Sequence, residues 1–124
     1  MLRRFAEKNG DYLYFAFRVV IGLVFFLHGW MKVSAITEGK MQLISLMGLA
    51  AVIETVGGLF LIIGFLVRPV ALISAIEMVF AWFMAHAPQG WNPLANKGEP
   101  ALLFFAAFLA LVALGARKWA IDRR

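Results

Sequence analysis

The chain has 124 residues, and 63% of them are hydrophobic even with its eleven glycines left out of the count, against an apolar share of roughly 45–50% in soluble domains. A domain this short buries only about 60–70% of its unfolded surface, so in water the excess would form exposed apolar patches; a lipid bilayer is the expected solvent. There is no Cys and the net charge is +5, which excludes disulfide scaffolds and thiolate or iron–sulfur centres, while the basic residues gather near the chain ends rather than in the stripe a nucleic-acid groove needs.

The N-terminal tail carries Arg3, Arg4 and Lys8 and leads into a first apolar span at residues 12–33, which holds Arg18, His28 and, near its end, Lys32. A polar connection at 34–42 precedes a second span at 43–66, interrupted by Glu54. Arg68-Pro69 marks a tight turn, and a third span at 70–87 contains Glu77, Trp82 and His86. Residues 88–100, rich in Pro, Gly and Asn, form the last loop and include Trp91, Lys97 and Glu99. The fourth span, 101–116, is short for the ~20 residues a crossing requires, and snorkelling of Arg117 extends it to Trp119. The expected fold is therefore an all-α integral membrane four-helix bundle, a single membrane domain over residues 1–124. Four crossings put both termini on one side. Eight Lys and Arg residues lie in the tails and second loop against three in the other loops, so both termini are expected in the cytoplasm and the protein in the plasma membrane.

The residues that interrupt the spans carry the functional signal, because an ionisable group at mid-bilayer costs at least ~2.5–3.5 kcal/mol and normally faces the bundle interior. At about 100° per residue, Arg18, Gly22, Phe25, His28, Gly29 and Lys32 share one face of the first helix. Glu54, Gly57, Gly58, Leu61 and Gly64 share one face of the second, and Ser74, Glu77, Ala81, Met84 and Ala85 make a stripe on the third. A rise of ~1.5 Å per residue sets Arg18 at ~9 Å and Glu77 at ~10 Å from the cytoplasmic boundary, Glu54 at ~18 Å and His28 at ~24 Å. These depths predict an Arg18–Glu77 ion pair, with Glu54 above it, lacking a cation at its own level and facing His28 or Trp82. Ligand-binding or proton-handling candidates are thus His28, Glu54, Arg18, Glu77 and Trp82; Lys32, His86, Trp91 and Glu99 stand at the outer mouth. No metal site is expected, and a haem between His28 and His86 is disfavoured because regular helical geometry turns His86 about 180° from Glu77.

The runs FRVVIGLVFFLHGWMKV (17–33), ETVGGLFLIIGFLVRPVALISAIEMVFA (54–81), HAPQGWNPLANKGEPALLF (86–104) and GARKWAIDR (115–123) resemble the DoxX family of small bacterial and archaeal membrane proteins over nearly the whole chain. The resemblance rests on Arg18, His28-Gly29 with Lys32, Glu54 before Gly57-Gly58, Gly64, Arg68, the 86–99 loop and Asp122. Two features depart from it: Arg117 and Ala120 replace a Gly and a Ser, and Glu77 stands where the family is apolar. The resemblance implies a four-helix membrane protein; some similar proteins are subunits of a thiosulfate:quinone oxidoreductase, and others associate with membrane redox and oxidative-stress complexes.

Three functions are compatible with these residues: a redox-associated subunit holding a quinone- or lipid-like ligand, a non-catalytic scaffold or assembly factor, and a small proton-coupled transporter using Glu54. With no Cys, dinucleotide or phosphate loop, an electron-carrying centre is expected on a partner protein, with no intrinsic cofactor beyond a quinone. The lipid bilayer, a redox partner and a second copy of the chain are the expected partners; nucleic acid is not.

Overall fold

The computed structural model describes residues 1–40 and 42–122; Met41, in the first connection, and Arg123 and Arg124, counted in the charge tally, lie outside the described residues. The described residues form helices without strands: α1 (Leu2–Thr37), α2 (Leu46–Ile63), α3 (Val67–Ala81), the short α4 (Pro93–Asn96) and α5 (Glu99–Leu114). A π-helical turn, Trp82–His86, and a 3-10 turn, Ala87–Gln89, continue α3. Three of these helical stretches, α1, α2 and Val67–Gln89, are long and apolar enough to cross a membrane, and α5 is a shorter apolar helix.

α1 rises about 54 Å, far beyond the ~30 Å of hydrocarbon, so its charged first turns, Arg3 to Asp11, project past the bundle. It buries only Arg18, Gly22, Phe25 and Gly29, the single face its periodicity predicts. α2 buries Gly48, Ala51, Glu54, Gly57, Gly58 and Leu61 against it. Glycine permits this contact: a Cβ on Gly22 would sit 2.8 Å from the Gly58 carbonyl oxygen, and one on Gly58 would sit 2.6 Å from the Phe26 nitrogen. Small residues at such a crossing let two backbones approach where lipid supplies no hydrophobic drive. Large side chains on the outer faces, such as Leu23, Leu59, Ile73, Phe80 and Leu103, are exposed, as expected of surfaces meeting acyl chains.

α3 packs on α5 and on α2, and the centre is an aromatic layer. Phe25 lies 5.2 Å from Phe104 and 4.8 Å from Phe108, ring centre to ring centre, with Leu61, Ala71, Ala75 and Leu111 buried around them. On α3 the buried set is Val67, Ala71, Ser74, Ala75 and Met78. Met84 and Ala85, expected on the interior stripe, are exposed. Both lie within the π turn Trp82–His86, whose i→i+5 bonding takes an extra residue into the turn and moves side chains off the regular spacing of about 100°.

The fourth expected span ends earlier than the sequence suggests. α5 stops at Leu114, Gly115 adopts φ +73°, and residues 115–122 turn back beneath the bundle instead of continuing the helix to Trp119. In that return the Ile121 and Asp122 amides donate to the carbonyls of Ile63 and Gly64, at 3.1 and 2.8 Å. The Asp122 carboxylate accepts from the Leu66 and Val67 amides at 2.7 and 2.8 Å. Asp122 thereby caps the first turn of α3, whose amides have no intrahelical acceptor.

Candidate functional site

Arg18 and Glu77 do not pair, which corrects the contact their depths predict. Arg18 is fully buried, at 0% exposure, and its guanidinium donates to five backbone carbonyls. Nε reaches Leu61 at 2.9 Å, one terminal nitrogen reaches Ala116 at 2.6 Å and Lys118 at 3.1 Å, and the other reaches Trp119 at 2.7 Å and Ile62 at 3.4 Å. The acceptors are the last carbonyls of α2, which lack intrahelical donors, and those of the return segment, which left the helical pattern at Gly115. Five donors in a rigid fork suit this task as an ammonium would not. Tyr14 adds a bond from its hydroxyl to the Gly115 carbonyl at 2.6 Å, and Lys118 meets Asp11 at 3.2 Å. Arg18 is thus the staple of a closed end.

The polar residues nearer the other end converge on a cavity of about 260 Å³, bounded by α1, α2, α3, the π turn and the start of α5. Its polar lining is His28, Lys32, Glu54, His86 and Lys97, and Phe25, Met78 and Phe104 supply apolar wall. The aromatic layer separates it from Arg18, so the two polar regions are independent. A larger recess of about 380 Å³ at the opposite end, lined by Glu7, Gly10, Asp11, Tyr14, Leu114 and Arg117, is an open groove beside the projecting turns of α1 and gathers no comparable set of groups.

Glu54 has a cation after all: Lys32 Nζ is 2.8 Å from its Oε1, with the two side chains 22% and 4% exposed. The long lysine stem reaches down from the outer end of α1, which depths measured at Cα conceal. His28 lines the same cavity but turns Nδ1 to the Val24 carbonyl at 2.9 Å, and no Glu54–His28 or Glu54–Trp82 hydrogen bond forms among the described residues. Glu77 approaches Glu54 and Lys32 from α3. One Glu77 oxygen is buried without a partner.

The π turn returns His86 to the cavity, against the expectation from a regular helix. Its Nδ1 lies 3.0 Å from the Asn96 carbonyl. Asn96 is buried and organises the loop: its side chain donates to the Gly90 carbonyl and accepts from the Gly98 amide, both at 2.8 Å. Trp82 is buried behind His86, and a Cβ on Gly98 would sit 2.6 Å from its ring. Trp91 meets Trp82 at a tilt and Phe83 edge-on and is exposed, as is Glu99 at the start of α5; neither lines the cavity. Sequence reasoning missed Asn96 and Lys97, since an Asn and a Lys in a Pro/Gly-rich loop read as turn and solvent residues. Among the described residues no group of three or more His, Asp or Glu is placed to hold a metal ion.

A model of the DoxX family matches residues 13–87. An uncharacterized protein of Haemophilus influenzae is 37% identical over 126 aligned positions, covering 95% of this chain and 94% of its own length. No solved structure matches the chain.

Proposed function

Because the chain belongs to the DoxX family, we propose that it is a membrane-embedded subunit of a redox or oxidative-stress complex, holding a quinone- or lipid-like ligand in the outer cavity. The observation that carries this reading is the mixed lining of that cavity, with hydrogen-bonding groups from three helices and a loop set against Phe25 and Phe104. Sites for small lipid-soluble ligands have this character, mostly apolar walls with a few placed polar groups. The Lys32–Glu54 pair, with Glu77 behind it, adds groups able to hold and release a proton beside a ligand.

Four crossings with both termini in the cytoplasm complete the proposal. Its support is that the Tyr14–Gly115 and Lys118–Asp11 bonds join the N- and C-terminal regions at one end, where Arg68 also lies, 3.3 Å from the Ala113 carbonyl. That end carries the larger share of basic residues. α5 spans about 24 Å, and the return segment fills the remaining depth at the cytoplasmic boundary.

The test is purification in mild detergent, with extraction of bound lipids and identification of co-purifying proteins by mass spectrometry. A co-purifying quinone or redox partner supports the proposal. A ligand-free homo-oligomer, together with unaltered quinone affinity in Glu54→Gln, would overturn it in favour of a scaffold.

A further inference from the structure

Two imidazoles line the outer cavity, and the backbone fixes which nitrogen each can offer. His28 Nδ1 sits 2.9 Å from the Val24 carbonyl, one turn back on its own helix, and His86 Nδ1 sits 3.0 Å from the Asn96 carbonyl in the loop that closes the cavity. A carbonyl oxygen can only accept, so in both rings Nδ1 carries the proton. The neutral ring then presents a bare lone pair at Nε2, and the bond to the other nitrogen decides that state. The acceptors are main-chain groups in a helix and in a loop braced by Asn96, so they do not rotate away as a side-chain acceptor can.

The site is consequently rich in acceptors. Of its two cations, Lys32 gives one of its three N–H donors to Glu54 at 2.8 Å, and Lys97 stands exposed at the mouth. Phe25 and Phe104, 5.2 Å apart and tilted by 54°, and the edge-on contact of His28 with Phe104 at 5.3 Å provide aromatic surface for a ring.

Resting on the reading of this cavity as a site for a ring-headed, lipid-soluble ligand, we infer that it selects the hydroxyl-bearing form, a hydroquinone head, over the quinone. The two O–H groups donate to Nε2 of His28 and of His86. A quinone brings only carbonyl lone pairs to those lone pairs, so each contact is lost and each acceptor is left without its water. The preference concerns binding alone and involves no electron transfer.

The experiment uses the full chain in lipid nanodiscs at about pH 8, with three probes: a decyl-tailed benzohydroquinone kept reduced, its quinone, and its dimethyl ether. The ether keeps the ring and tail and cannot be oxidised to the quinone, but has no O–H. Binding of the hydroquinone about 10-fold or more tighter than both others is expected, 10-fold being 1.4 kcal/mol. Equal binding of all three overturns the inference and leaves the ligand site standing; binding of none overturns both. His28→Phe and His86→Phe should each reduce the preference without abolishing quinone binding. Imidazole nitrogen chemical shifts give a readout independent of any ligand: both rings must show a protonated Nδ1 and a bare Nε2. A protonated Nε2 with a bare Nδ1 in either ring overturns the proposal.

Discussion

Replacing Arg18 by Met removes the donors of five carbonyls at one end of the bundle while keeping a long apolar stem. Four of the five contacts are 3.1 Å or shorter, and a hydrogen bond to a charged donor is worth about 1.5–3 kcal/mol. Four at the low end sum to roughly 6 kcal/mol. Burying the guanidinium costs several kcal/mol, which the Met variant no longer incurs. The net loss is expected near 3 kcal/mol. Arg18→Lys should lose about half as much, since an ammonium brings three donors to one point and cannot span carbonyls on α2 and on the return segment together. Thermal unfolding in mild detergent measures the loss. Limited trypsin digestion locates it: Arg117 and Lys118 are exposed but lie in backbone that the Arg18 contacts hold, so release of residues 115–122 should speed cleavage there. An Arg18→Met protein with an unchanged midpoint and unchanged cleavage would refute the staple. So would rescue of Arg18→Glu by Glu77→Arg, which an ion pair requires and this geometry forbids.

Other outcomes follow from the same structure. Lys32→Met should destabilise by about 3–5 kcal/mol, the usual cost of leaving one member of a buried pair alone, and a double-mutant cycle with Glu54→Gln should show strong coupling; additive effects would deny the pair. Glu77→Gln, which keeps the shape and a hydrogen-bonding group, should shift the midpoint little and leave the effect of Arg18→Met unchanged. Asp122→Ala should cost about 1–2 kcal/mol through loss of the α3 cap, and hydrogen exchange at the Leu66 and Val67 amides should accelerate. Gly58→Val should separate α1 from α2 and lower the midpoint sharply, whereas Gly10→Ala, with nothing within 4 Å of the added Cβ, should be neutral or stabilise by up to about 1 kcal/mol.

The sequence by itself determined the solvent, the helical class and the interior faces of α1 and α2. These follow from composition and a 3.6-residue period, which act along one helix at a time. It also singled out His28, Lys32, Glu54 and His86, which the structure brings to one cavity, because a charge in an apolar span is costly enough to need a reason wherever the partner lies. The partners themselves it did not determine. Depth along a helix axis matched Arg18 to Glu77, but the chain beyond Gly115 folds back and offers carbonyls that no linear measure of depth contains. Lys32 reaches Glu54 through a side chain several ångströms long, and His86 enters the cavity through one extra residue in a helical turn. Each is a fact about direction and reach between segments, and only the packed tertiary structure sets those.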